Sequence, residues 1–281
     1  MPTTIQLVPT TFSLIAVFCW GTSDFLGGYA SKRSNAFLVT LLAHTGGFGL
    51  MTALALSTHA ALPSQTSQLW AFAAGALGGT GLALFYRALA TGRMGLNAPV
   101  AAVLGAAIPT AFGMMIEGFP GVIPVTGFLL AGLGIWLISR PDGRAGREGL
   151  GLALLAGLGF AGFFICINQT RDASAVWSAV TCRVGSLLLV GILVLLSKAP
   201  RKITRRDAGL SVLAGFLDST GTLLFIRAAQ TGRLDAAVVL TALYPAVTVL
   251  LARIVLKEHF TRWKAVGIAA ALLAVPLIAL R

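Results

Sequence analysis

Charge is what this sequence has least of. Of its 281 residues only 11% are Asp, Glu, Lys or Arg, against roughly 25% in an ordinary soluble domain. That excludes a water-soluble monomer, because there are too few polar residues to cover its surface. Acids are scarcer still, with nine Asp and Glu against 21 Lys and Arg. The resulting net charge of +12 does not indicate nucleic acid. Most of the basic residues sit in short loops between apolar runs, where they orient a chain in a membrane. Cysteine and histidine are also rare, three of each. Cys19, Cys166 and Cys182 lie within apolar runs without metal-ligand spacing, so they read as packing residues rather than disulfides. His44, His59 and His259 are scattered and form no HExxH-like pair, which counts against a metal-dependent intramembrane enzyme. No glycine cluster fits GxxxxGK[ST], so ATP drive within this chain is not expected. No cofactor is expected either.

Long apolar runs are what the sequence has instead, with 57% hydrophobic residues. A membrane span needs about 20 mostly apolar residues. Ten such runs occur, at roughly 10–30, 36–57, 69–90, 95–117, 121–139, 149–169, 174–197, 208–230, 234–256 and 263–280. The first lacks a basic leader segment and reads as a span rather than a cleaved signal. The expected fold is an all-α integral membrane protein of ten transmembrane helices.

The stretch Ala74–Arg93 occurs twice. It reads AGALGGTGLALFYRALATGR, and at an offset of 140 residues Ala214–Arg233 reads AGFLDSTGTLLFIRAAQTGR, with 12 of 20 positions identical. This predicts a duplication, with residues 1–140 and 141–281 as two five-span repeats. They are joined by the loop from Pro141 to Arg147. Five is odd, so the second repeat enters the membrane inverted. The charges agree. Fourteen Lys and Arg fall in the loops after spans 1, 3, 5, 7 and 9, whereas the other side carries Arg171, Arg233 and Arg281. The positive-inside rule puts the first set of loops in the cytoplasm and both termini outside. Trp70, Trp136, Trp177 and Trp263 fall near span ends, as an interfacial belt would place them, and Trp20 lies deep in span 1. Closely spaced glycines, such as Gly75 and Gly79, let helix backbones approach.

Two apolar repeats predict a carrier with a site where they meet. Ionisable groups inside spans are the informative residues, because each costs several kcal/mol unless it faces a cavity or a partner. Asp24, Asp218, Arg183 and His44 are such groups. Asp218 stands opposite Gly78 in the repeat, and Asp24 opposite Phe164. Asp24 reads as a counter-charge for a cationic group or as a proton carrier, or else as a structural hydrogen-bonder. Asp218 and Arg183 read as substrate contacts, or as a fixed ion pair with each other. His44 can titrate near neutral pH or be a satisfied core histidine. Trp20, Tyr86 and Tyr244 offer aromatic faces for an amine, or simply fill the core. Arg87 and Arg227 recur in both repeats and read as snorkelling scaffold residues. Glu117 and Glu258 read as caps or gate-region groups at span exits. Asn168 and Gln169 are polar at the end of span 6. Pro99, Pro109 and Pro245 break the backbone ladder of spans 4 and 9, which are repeat mates.

Span 1 contains Trp20-Gly21-Thr22-Ser23-Asp24. Span 9 and its exit run from Ala242-Leu243-Tyr244-Pro245 through Arg253 to Lys257-Glu258. With these features both halves resemble the EamA family of the drug/metabolite transporter superfamily. The resemblance implies alternating access for small metabolites, most often outward, through a site lined by spans 1, 3, 4, 6, 8 and 9. There are departures. Leu104 stands where the family often has a proline in span 4. His44 lies within one residue of the position matching Arg183, where relatives carry arginine in span 2. The basic tail that would favour cytoplasmic termini is missing. The reading is thus a secondary transporter of the cytoplasmic (inner) membrane, not an enzyme. It would move a small polar or zwitterionic solute, an amino acid, amine or drug-like solute, in the export direction. Its partners are that solute, the bilayer and protons or an exchange solute, without nucleic acid, as a monomer or homodimer. The rival readings are a non-transporting membrane scaffold and an intramembrane enzyme on lipid-linked substrates.

Overall fold

The computed structural model describes residues 7–91, 94–138, 148–197, 200, 202–257 and 261–279. Glu258, His259, Arg281 and the loop from Pro141 to Arg147 lie outside the described residues, as does the side chain of Pro99. The described residues form helices and short connections, with no strand. In lipid no water is available to the backbone, so each apolar run closes its own hydrogen bonds as a helix. The helices are α1 Leu7–Ser31, α2 Ala36–Ser57, α3 Gln65–Thr91, α4 Met94–Glu117, α5 Val122–Ile138, α6 Leu150–Asn168, α7 Ala175–Leu196, α8 Arg205–Thr231, α9 Leu234–Thr241, α10 Tyr244–Leu256 and α11 Arg262–Ala279. Eight segments are long and apolar enough to cross a membrane, with α9 and α10 together making one of them. The apolar α5 is shorter, at 17 residues. The 25-residue α1 has the length, but Thr22, Ser23 and Asp24 lower its hydropathy.

Polar caps end several of these helices. The side chains of Asn35, Ser174 and Thr204 accept from the first-turn amides of α2, α7 and α8, satisfying donors that have no helical partner. Between α4 and α5 the chain turns at Gly118 and Gly121, both at positive φ (77° and 105°), which side chains other than glycine rarely adopt.

Packing pairs the helices in a regular way. α1 lies along α8 and α3 along α6; α2 contacts α7 and α8; α3 contacts α7; α4 packs on α6 and α9, α1 on α10, and α5 on α11. Glycine makes the closest of these contacts. A Cβ on Gly75 would sit 1.8 Å from the Cys182 carbonyl oxygen, and one on Gly215 would sit 1.8 Å from that of Ala43. In α5 and α11, Gly134 and Gly267 face each other in the same way, at 2.7 Å. The size gradient of a soluble protein is reversed. Alanines fill the interior, while Leu129, Leu195 and Met115 are 70%, 68% and 83% exposed. Lipid gives no hydrophobic drive between helices, so close backbone packing holds them together. Trp70, Trp136 and Trp263 are exposed and Trp20 is buried; the Trp177 indole donates to the Ala60 carbonyl.

Ionic contacts tie the loops at each end. At one end Glu117 meets Arg171 and Arg233 and accepts from the Leu234 amide at the start of α9. Arg233 also grips the buried Asp235. At the other end Arg33 pairs with Asp207 at 2.7 Å, a hydrogen bond that holds the guanidinium above its ordinary pKa.

Candidate functional site

Asp218 is the midpoint of α8, and the structure is hollow beside it. A cavity there has about 700 Å³ of empty space, counted out to its mouth. Its walls come from α1, α2, α3, α4, α6, α7 and α8, and from the junction between α9 and α10. The family-based expectation named spans 1, 3, 4, 6, 8 and 9. α2 and α7 join them because the glycine contacts at Gly75 and Gly215 draw both helices inward, bringing His44 and Arg183 to the cavity.

One wall is charged. Arg183 Nη1 lies 2.7 Å from Asp218 Oδ2, and its Nη2 donates to Thr222 Oγ1 at 2.8 Å. His44 Nε2 approaches the same Asp218 oxygen at 3.7 Å. All three are nearly inaccessible, at 5%, 9% and 1% exposure for Arg183, Asp218 and His44. The Trp20 indole donates to the Asp218 main-chain carbonyl at 3.2 Å. Gly221 makes that approach possible, since a Cβ there would come within 2.7 Å of the ring.

Asp24 lies one turn beyond Trp20, on the same face of α1. The residue is 5% exposed and lines the cavity, and it has no hydrogen bond or ion pair among the described residues. Behind it, Ser23 Oγ donates to the Ala214 carbonyl at 2.8 Å and contacts the Tyr86 hydroxyl at 3.3 Å. The acid is thus set on a braced segment of α1. Four buried polar atoms of cavity residues have no hydrogen-bond partner among the described residues: Arg183 Nε, His44 Nδ1, the Tyr244 hydroxyl, and Asp218 Oδ2, which is held by its ion contacts alone. Buried polar groups are nearly always satisfied, so such a cluster marks a place for a polar guest.

The other wall is aromatic. Phe160, Phe163 and Phe164 of α6 line it with Leu82 of α3. The Trp20 ring joins the two walls, with centroids 6.4 Å from Phe163, 5.9 Å from Phe164 and 6.5 Å from Tyr244.

The ninth span is broken at this level. Pro245 has no N–H to give the Thr241 carbonyl, so the helix stops and restarts. Leu243 N bonds Leu240 O at 3.2 Å in a tighter turn, and Tyr244 opens α10. Gly21 on α1 receives the break, for a Cβ there would sit 2.6 Å from the Tyr244 carbonyl oxygen. Thr248 Oγ1 then donates to the Gly21 carbonyl at 3.0 Å. The expected disturbance of span 4 takes a milder form, since α4 runs unbroken through Pro109. Pro109 leaves the Gly105 carbonyl without its helical donor, and Gly105 borders the cavity.

Of the residues singled out in the sequence, Asp24, Asp218, Arg183, His44, Trp20 and Tyr244 line this one cavity. Tyr86 does not. It is fully buried behind α1 and holds Ser23. Arg87 and Arg227 are exposed near helix ends, and Glu117 caps α9. Asn168 is buried and Gln169 exposed, both away from the cavity lining. The α6 phenylalanines and Thr222 were not singled out as site residues. A signal for the phenylalanines existed, because the 140-residue offset sets Phe160 opposite Trp20 and Phe164 opposite Asp24.

Comparison with known proteins gives a fold and a family match over part of the chain. A solved structure, titled only as the crystal structure of a protein, is 18% identical in sequence. It matches with a TM-score of 0.76 over 96% of this chain and 95% of its own. That likeness shows a shared fold. No curated protein matches the chain. Over residues 147–280, just under half of the chain, the sequence is similar to the EamA-like transporter family.

Proposed function

We propose that this protein is a secondary carrier of the cytoplasmic membrane, moving a small polar or zwitterionic solute, an amine or amino acid, by alternating access. The observation that carries the reading is Asp24, a buried carboxylate without a partner among the described residues, bordering a cavity at mid-bundle. A lone carboxylate held away from water is costly unless something neutralises it. A cationic substrate group does so on one leg of the cycle, and a proton or an exchanged solute does so on the other. Export is the favoured direction by analogy with the family. A pure scaffold would have no use for an unpaired acid beside a cavity.

The architecture proposed is two inverted five-helix repeats, 1–140 and 141–281, with basic loops in the cytoplasm and both termini outside. The contact pattern supports the repeats. α1 on α8 has its mate in α6 on α3, α2 on α8 in α7 on α3, and α1 on α9 and α10 in α6 on α4. Under inversion the half-site of each repeat faces the other, as in carriers with a midplane site.

The test is solute-dependent proton movement in proteoliposomes, screening amines and amino acids with Asp24→Asn beside the wild type. Wild type should carry a solute with proton movement. Asp24→Asn should lose at least about tenfold in coupled flux, or about 1.4 kcal/mol. Equal flux through both proteins would remove Asp24 from the mechanism.

A further inference from the structure

We infer that the cavity selects amphipathic amines without a free carboxylate, an inference that rests on the carrier reading above. The argument begins with the charges. Among the described residues, the carboxylic acids and basic side chains bordering the cavity are Asp24, His44, Arg183 and Asp218. Arg183 is already matched, since its Nη1 lies 2.7 Å from Asp218. His44 turns to the same Asp218 oxygen, so any charge it carries is directed there as well. The acid left over is Asp24. A substrate ammonium completes the balance, whereas a substrate carboxylate meets no unmatched cation. Burying that carboxylate beside Asp24 and Asp218 would require breaking the Arg183–Asp218 pair, and leaving a buried charge unpaired is strongly unfavourable. The remaining donors, Arg183 Nε and the Tyr244 hydroxyl, suit a neutral polar group.

The rest of the cavity specifies the rest of the solute. Trp20, one turn from Asp24, touches Phe163 and Phe164. An ammonium on Asp24 therefore has an indole face within reach for cation–π attraction, and the carbon body attached to it lies against α6. Room for that body comes from Gly78, where a Cβ would meet Phe163 at 3.1 Å. The offset of 140 residues places Gly78 opposite Asp218. One half thus supplies bulk charge where the other supplies space.

Calorimetric binding to the purified full chain in nanodiscs tests this with three probes: phenethylamine, phenylalanine and butylamine. Phenethylamine should bind about tenfold or more tightly than either of the others. Phe163→Ala should weaken phenethylamine more than butylamine. Asp218→Asn, by freeing the Arg183 charge, should narrow the gap between phenethylamine and phenylalanine. The wild-type ranking stands without either variant, should one fail to fold. Phenylalanine binding as tightly as phenethylamine would overturn the carboxylate exclusion and leave the carrier reading intact. Butylamine matching phenethylamine would overturn the role of the aromatic wall. No binding of any probe, with unchanged transport of another solute by Asp24→Asn, would overturn both readings.

Discussion

Gly75 and Gly215 stand 140 residues apart and make the same contact, each pressing a helix backbone onto a carbonyl of a neighbour with no room for a side chain. One turn further along, Gly79 of α3 lies against Ser186 of α7, whereas in the other half the glycine is on the partner helix, Gly47 of α2 against Ser219 of α8. A few ångströms away, equivalence stops. Asp218 faces the cavity where its counterpart is Gly78, Asp24 where its counterpart is Phe164, and Arg183 near the counterpart of His44. The comparison shows two kinds of constraint. Where backbones touch, one of the two helices supplies a glycine, in either half. Where side chains border empty space, charge, ring or hydrogen can stand at matching places without disturbing the packing. The two halves thus share close backbone contacts, while the charged wall draws on both, through Asp24 and His44 with Arg183 and Asp218, and the wall phenylalanines come from the second alone.

The strongest challenge to this comparison is to the scaffold. Gly75→Val and Gly215→Val each force atoms into a neighbouring carbonyl, and each should destabilise by about 3 kcal/mol or more. Thermal unfolding in detergent should show losses of similar size. Tolerance in one half alone would break the equivalence. Next comes the site. Asp218→Ala strands the buried Arg183 and should cost about 3–5 kcal/mol. Its counterpart Gly78→Ala, which only nudges Phe163, should cost about 1 kcal/mol or less while shrinking the room for substrate. Matching losses in the same unfolding assay would contradict the division into charged and aromatic walls. The smallest effect concerns the two prolines. Pro245→Ala restores a donor at the break and should slow transport several-fold in proteoliposome flux, with binding nearly unchanged. Pro109→Ala, in a helix that already runs through, should leave flux within about twofold. Equal effects would mean that the break between α9 and α10 has no special part in the cycle.

Much of the helical layout was legible because it depends on one dimension. A run of apolar residues long enough to cross lipid must be helical, so the expected spans coincide with the observed helices to within a few residues. The interruption at Pro245 was marked by the missing N–H. That α4 would run straight through Pro109 was not marked, since a proline's effect depends on the neighbours that absorb it. Buried charge was equally legible as a warning, because Asp24, Asp218, Arg183 and His44 stand in runs where charge is costly. Tyr86 shows the limit. As a tyrosine in a span it looked no different from Tyr244, yet one packs behind α1 and the other borders the cavity.

By itself the sequence determined that the chain is helical and apolar, where its spans begin and end, and which residues are expensive to bury. These follow from composition and the cost of desolvation, which act locally. Only the tertiary structure decided that Arg183 is matched to Asp218, that Asp24 has no partner among the described residues, and that Phe163 and Phe164 of α6 meet Trp20 beside it. Partnership is a matter of distance between helices. That distance is set by glycines pressed against carbonyls far away in the chain.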